Sequence, residues 1–203
     1  MLRKHEQERE NVPALSCSKT IYDHDGITIV DHHRKRFLYF SNNLAQGAIS
    51  LDGDEYLLDY QATIKGLLVV LAKKVDALDI RRICVAGLGA GTISRMVQKL
   101  FPTSSCITYD ASQHVIDLYN RFFKAASDSF EIRCGDADLA LLDNSIDLYI
   151  MDINDPEKGF FCEFEQITKQ QKRFIVNTQS VPETKLSIQT EKCESGNYIA
   201  YNI

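Results

Sequence analysis

The sequence predicts an α/β fold: a mostly parallel sheet covered by helices on both faces, finished by an antiparallel hairpin and preceded by a small β unit. Three observations carry this expectation. From Ile80 onward, short apolar β-prone runs alternate with segments of helical length, a pattern that implies right-handed crossovers and parallel strands. Before Asp59 the chain holds only short β-prone runs separated by turn residues. At the end, two strand-like runs flank Glu194-Ser195-Gly196-Asn197, which has the composition of a hairpin turn.

The elements follow in order. Residues 1–18 are polar, include Pro13 and lack periodicity, as in a loose arm. A small β unit occupies 19–58, with runs at Thr20–Tyr22, Ile27–Val30 and Phe37–Phe40; Asp25-Gly26 makes the first turn, and 41–58 reads as irregular. The second domain, 59–203, opens with a helix over Asp59–Lys74 that contains a buried stretch, Leu67–Leu71. Strand Ile83–Ala86 leads to helix Thr92–Leu100, which Pro102 stops. Strand Cys106–Tyr109, helix Gln113–Phe123 and strand Phe130–Arg133 come next, then strand Asp147–Met151, a helix at about 161–171 and strand Phe174–Asn177. The closing hairpin pairs Lys185–Thr190 with Tyr198–Asn202 as an antiparallel edge.

Composition narrows the function classes. Of 203 residues, 44% are apolar and 25% charged, and 23 basic against 28 acidic residues leave a net charge of −5. A chain that grips phosphate backbones carries the opposite sign, so nucleic acid is not an expected partner, whereas a cationic small molecule suits an acidic protein. No apolar run reaches the roughly 18–20 residues of a membrane span, and Met1–Asn11 is charged throughout, so neither a membrane nor a secretory signal is expected and the location expected is the cytoplasm. The six cysteines form no CxxC pair, and His32 and His33 are adjacent in a solvated turn. No metal site is expected; Cys84, Cys106 and Cys134 fall in or beside apolar strands as small hydrophobes.

The chemistry-bearing residues fall after successive strands. The first strand–helix turn reads Gly87-Leu88-Gly89-Ala90-Gly91-Thr92, and its glycines allow a tight turn and close backbone approach to a ligand that meets the next helix's N–H groups. Thr92 stands where the dinucleotide fingerprint needs its third glycine; the Gly-x-Gly-x-Gly form is instead common in S-adenosylmethionine-type sites. Without a ligand the same turn serves packing alone. Asp110 ends the second strand, 23 positions after Gly87, where a carboxylate accepts both hydroxyls of a ribose; the alternative is a helix N-cap, with Ser112 its rival. Gly135-Asp136-Ala137 ends the third strand, within reach of an adenine amino group. After the fourth comes Asp152-Ile153-Asn154-Asp155-Pro156, two carboxylates that would hold a cationic amine and take its proton, or one that merely caps a helix.

Residues from about 36 to 180 resemble the spermidine synthase family of polyamine aminopropyltransferases, in its spermidine-synthase-like branch. The glycine turn with Arg95 is similar to the family's, Asp110 falls on its ribose-binding acid, Gly135-Asp136-Ala137 on its adenine motif, and Asp152–Pro156 on its Asp-x-x-Asp-Pro catalytic loop. Phe161-Cys162-Glu163-Phe164 is similar to the segment that follows that loop, Tyr60 resembles the family's substrate-side tyrosine, and Gln46 resembles its upstream glutamine. Three features depart from the family. Ala90 stands in the turn where the family has an Asp that meets the ligand's amino group, Gln61 and Ala62 replace a His and a Glu, and the region after Asp155 is short.

The resemblance implies a class I methyltransferase-like Rossmann fold and transfer of an aminopropyl group from decarboxylated S-adenosylmethionine to a diamine such as putrescine. Asp152 would be the base, Asp155 an amine anchor and Tyr60 an aromatic wall with cation–π contact. Gln46, Gly87, Gly89, Gly91, Asp110, Asp136 and Ala137 would bind the nucleoside co-substrate. Two alternatives stay open: a methyltransferase that uses S-adenosylmethionine itself, to which Ala90 points, and a non-catalytic nucleoside-binding homologue, to which Gln61 and Ala62 point. Pairing of exposed N-terminal strands across a two-fold axis would give a homodimer.

Overall fold

A computed structural model describes residues 18–41, 44–52, 57–74, 79–136, 143–153, 172–178 and 188–203. Of the arm expected over 1–18 only Ser18 is described, as the first residue of a strand; the helix expected near 161–171, Asn154, Pro156 and the site candidates Ala137 and Asp155 lie outside these residues. The chain divides into two compact units between Leu58 and Asp59.

The first unit is a four-stranded antiparallel sheet in sequential order: β1 (Ser18–His24), β2 (Ile27–His32), β3 (Lys35–Tyr39) and β4 (Ala45–Ser50). Asp25 (φ 51°) and Gly26 (φ 73°) form the two-residue turn between β1 and β2, both left-handed, the twist that lets neighbouring strands pair without splaying. His33 and Arg34 repeat that geometry between β2 and β3 without a glycine. The fourth strand corrects the irregular reading of 41–58. Small residues hide it from a propensity argument: Gly47 pairs with Leu38 on one face of the sheet and Ala48 with Phe37 on the other, so large buried side chains of β3 meet small residues of β4.

The second unit is built on a seven-stranded sheet. Helix α1 (Asp59–Lys74) coincides with the expected span and buries Tyr60, Gln61, Ile64, Leu67, Leu68 and Leu71, the stripe that a 3.6-residue period puts on one face. Strands β5 (Arg82–Ala86), β6 (Ser105–Asp110), β7 (Glu131–Cys134), β8 (Leu148–Met151) and β9 (Arg173–Thr178) follow in sequence. The spatial order is β10-β11-β9-β8-β5-β6-β7, with every contact among β5 to β9 parallel. Helix α2 (Thr92–Leu100) joins β5 to β6. Helix α3 (Gln113–Leu118) runs on into one π turn, Tyr119–Phe123, closed by the Lys124 amide on the Tyr119 carbonyl at 2.9 Å. The unbroken helix expected over 113–123 therefore widens in its second half.

The C-terminal hairpin closes one end of the sheet with an antiparallel strand, as expected. Strand β11 (Tyr198–Asn202) does not form the sheet's edge: it inserts antiparallel between β9 and β10 (Gln189–Lys192), which leaves β10 outermost and parallel to β9. Inserted there, β11 has ladder partners on both sides, and Ile199 and Ala200 are wholly buried. Of the strand cysteines, Cys84 and Cys106 are buried as expected and burial pushes both thiols up to about 12, whereas Cys134 is exposed on edge strand β7.

After β6 and β7 are laid on one side of β5, the chain returns to its other side as β8. The crevice at the carboxyl ends of β5 and β8 is thus the sheet's switch point, where open α/β sheets bind ligands.

Candidate functional site

The glycine turn leaves β5 directly into this crevice. Gly87 has φ 96°, and a Cβ there would run into the Asp152 carbonyl at the end of β8. Gly91 has φ 74°, and its Cβ would lie 2.5 Å from the Tyr119 ring. Both positions need glycine because the protein's own atoms come so close, a reason independent of any ligand. No side chain caps α2 at Gly91, where the helix starts at the end of the glycine turn.

Asp110, at the end of β6, bridges this turn to the start of α3. Its Oδ2 accepts the Leu88 amide at 3.0 Å and its Oδ1 the Ser112 amide at 2.9 Å. Ser112 is the helix cap, its Oγ accepting from the Val115 amide at 3.2 Å, so the rival cap takes that role and leaves the Asp110 carboxylate at the crevice. Burial raises the Asp110 pKa against the hydrogen bonds from the Ser112, Leu88 and Gly89 amides. The Gly135 amide donates to the Asp110 carbonyl at 2.9 Å, which sets Gly135-Asp136 beside it at the same edge.

A second cluster surrounds Asp152. Its amide donates to the Ala86 carbonyl at 2.8 Å, fixing the residue beside β5. The Tyr60 hydroxyl donates to Oδ2 at 3.1 Å, and the Asn177 amide on β9 donates to Oδ1 at 2.8 Å. Gln61 donates to the Tyr60 hydroxyl at 3.2 Å, and Asn197, in the β10–β11 turn, donates to Asn177 Oδ1 at 3.0 Å. Burial raises the Asp152 pKa, with the Asn177 and Tyr60 hydrogen bonds opposing it. Burial, together with the nearby Asp152 charge, raises the Tyr60 pKa well above its ordinary value, so the phenol is a donor and not a base. Tyr60, expected as an aromatic wall with cation–π contact, is buried, with its hydroxyl turned to the acid.

Sequence reasoning missed Asn177, Asn197 and the constructive part played by Gln61. An asparagine at the end of the expected strand Phe174–Asn177 was the available signal for the first. It also left Arg95 without a role. Arg95 forks onto Asp128 at 2.8 and 2.9 Å and donates to the Ala90 carbonyl of the glycine turn at 3.0 Å and to the Phe123 carbonyl at 2.5 Å. Tyr119 donates to the same Asp128 at 2.5 Å. This brace ties the glycine turn to the π turn.

Of the expected residues, the structure gathers Gly87, Gly89, Gly91, Asp110, Asp136, Asp152 and Tyr60 in one unit around the switch point. Gln46 lies on β4 in the other unit, its amide directed at the Leu44 carbonyl at 3.5 Å. Among the described residues no group of three or more His, Cys, Asp or Glu side chains could hold a metal ion, and no helix is long and apolar enough to cross a membrane.

No family model and no curated protein matches the sequence. Solved structures do match. The spermidine synthase from Thermotoga maritima aligns with 90% of this chain and 71% of its own, at 15% identity and a TM-score of 0.62. The fold is spermidine-synthase-like. A probable spermidine synthase from Corynebacterium glutamicum matches at 19% identity and a TM-score of 0.59, covering 77% of this chain; the present chain spans 62% of that protein's length. Human methyltransferase-like protein 13, solved in complex with SAH, shares the fold at 18% identity and a TM-score of 0.54, over 71% of this chain and 82% of its own.

Proposed function

We propose that this protein transfers an aminopropyl group from decarboxylated S-adenosylmethionine to a diamine such as putrescine, in the cytoplasm. The observation that carries the reading is a partly buried carboxylate, Asp152, oriented by two donors at the switch point beside the glycine turn. Asp110 would take the ribose hydroxyls: its bonds to the Leu88, Gly89 and Ser112 amides leave further acceptor sites on a rigidly aimed carboxylate. Asp136 and Ala137 would meet the adenine, and Asp155 would anchor the second amine.

The sulfonium is already a good leaving group, so the protein's task is alignment and proton removal. The amine nitrogen attacks the propyl carbon bonded to sulfur, and that C–S bond breaks with its electron pair passing to sulfur, which leaves methylthioadenosine. The nitrogen arrives protonated near neutral pH, and Asp152 takes that proton as the lone pair forms the new C–N bond, so the product leaves as a secondary ammonium. A primary amine titrates near 10, as lysine does, and a carboxylate whose pKa burial has raised is the better matched acceptor. Asp152→Asn keeps the shape and removes this acceptor. The variant should bind methylthioadenosine within a few-fold of wild type and lose roughly 10²–10⁴ in transfer rate, read as aminopropylated product by mass spectrometry.

One observation favours a second reading. Ala90, where the resemblance calls for an acid facing the amino end of the decarboxylated compound, is 2% exposed with its carbonyl held by Arg95. A site without that acid also accommodates the carboxylate of S-adenosylmethionine and thus methyl transfer. Offering each sulfonium compound with a panel of amines separates the two by product mass. Tight binding of methylthioadenosine with no product from either would make the protein a binder.

A further inference from the structure

Asp152 is held from two sides, and both holds lead to the turn between β10 and β11. On one side Asn177 donates to Asp152 Oδ1 at 2.8 Å while its own Oδ1 accepts from Asn197 Nδ2 at 3.0 Å. On the other, Tyr60 donates to Oδ2 from the first turn of α1. That turn of α1 is fastened to the same hairpin: the Ser195 amide donates to Asp59 Oδ2 at 2.6 Å, and Cys193 Sγ meets Thr63 Oγ1 at 3.6 Å. Bonds and chain therefore close a ring from Asp152 through Asn177, Asn197, Ser195, Asp59 and Tyr60 back to Asp152.

We propose that Asn177 and Asn197 are positioning residues for the Asp152 carboxylate, Asn197 acting through Asn177. The inference rests on the reading of Asp152 as proton acceptor. An amide side chain can turn either its NH₂ or its oxygen toward a neighbour. Asn197 supplies a donor that only the oxygen of Asn177 can satisfy, so the NH₂ of Asn177 is committed to the carboxylate. Turned the other way, Asn177 would set its oxygen against Asp152 and oppose NH₂ to NH₂ at Asn197. Both amides are uncharged, so the support does not itself titrate. Among the described residues the ionisable group facing Asp152 is Tyr60 on α1, and Asp59 on the same turn acts on Tyr60.

The test uses the full chain and two readouts: the carboxyl ¹³C titration of Asp152, assigned with Asp152→Asn, and the pH dependence of kcat/KM for aminopropyl transfer. Asn177→Ala removes a hydrogen bond to the ionised form, so the Asp152 midpoint should rise by about 1–2 pH units and the acid limb of the rate profile should move with it. Asn197→Ala should raise it in the same direction by roughly a third as much or less. The double variant should match Asn177→Ala alone, because Asn197 has no path to Asp152 once Asn177 is gone. An unchanged midpoint in Asn197→Ala, or a shift that adds in full to that of Asn177→Ala, overturns the proposal. If Asn177→Ala does not fold, Asn177→Ser, which keeps one donor, replaces it with a smaller shift of the same sign. If wild type forms no product, the functional reading fails while the carboxyl titration still decides the positioning.

Discussion

At the scale of single residues, the two acids of the crevice are held by different kinds of donor. Asp110 accepts backbone amides and so knits the turn that would receive a ligand; among the described residues Asp152 accepts side-chain donors. Both were legible in the sequence because a carboxylate at the end of a parallel strand is a local pattern. Their partners were not, since Asn177 and Asn197 lie 25 and 45 positions from Asp152 and only the β9–β11 pairing brings them close. Burial of Asp152 has a consequence for stability. Its folded pKa lies above the unfolded value of about 3.9, so its contribution is fully present below that value and is lost as pH rises through the folded pKa. At neutral pH the ionised group costs stability, and Asp152→Asn removes that cost. The variant should therefore melt above wild type at pH 7, with the gap shrinking or reversing toward pH 4. A gap in thermal unfolding that does not change with pH would contradict the burial argument.

At the scale of elements, legibility followed local signal. Helices α1 and α2 were readable to the residue because a 3.6-residue apolar stripe, Pro102 and the glycine turn all mark their ends. Strand β4 was missed because its small residues carry no strand propensity of their own and owe their place to β3. The π turn had no sequence signal at all; its cause is tertiary, for Tyr119 must reach Asp128 while its ring packs against Gly91. Asp128 is the keystone of that region, its side chain 4% exposed and accepting Arg95, Tyr119 and the Ala125 amide. Burial alone would raise its pKa, but these donors together hold it below the ordinary carboxylate range. Its stabilisation is thus present above the unfolded value and lost as pH falls through the folded one, the opposite sign to Asp152. Asp128→Ala would leave the part-buried Arg95 guanidinium without its counter-charge and the Tyr119 phenol without its acceptor, at a cost of about 3 kcal/mol, near 10 °C of melting temperature for a chain of this size. The deficit should be largest near pH 7 and narrow below pH 3. A loss of under about 1 kcal/mol at neutral pH would mean that Arg95 finds another partner.

At the scale of the whole molecule, every described candidate except Gln46 belongs to the second unit and to one edge of its sheet. Alternation of strand and helix was enough to foresee that edge, because parallel strands joined by right-handed crossovers present their carboxyl ends together. The insertion of β11 between β9 and β10 was not foreseen, since a hairpin looks the same in sequence whether its second strand ends a sheet or enters it. The insertion nevertheless matters to the site, for it brings the β10–β11 turn beside Asn177. An adenosine ligand seated at the carboxyl edge should leave a one-sided footprint in hydrogen exchange. Amides of Leu88–Thr92, Ala111–Ser112 and Gly135–Asp136 should slow on addition of methylthioadenosine, since these segments are the glycine turn, the residues after Asp110 and the segment proposed to meet the adenine. Amides at the opposite edge, Arg81, Ser105 and Asp147, are bonded within the sheet's amino end and should exchange as before. Ligand at about 100 times Kd adds roughly 2.7 kcal/mol to global stability, so amides that exchange only by global unfolding slow at both edges alike, and the comparison belongs to those that open locally. Protection at the amino edge alone would move the ligand off the switch point and, with it, the reading of Asp110 and Asp152 as its neighbours.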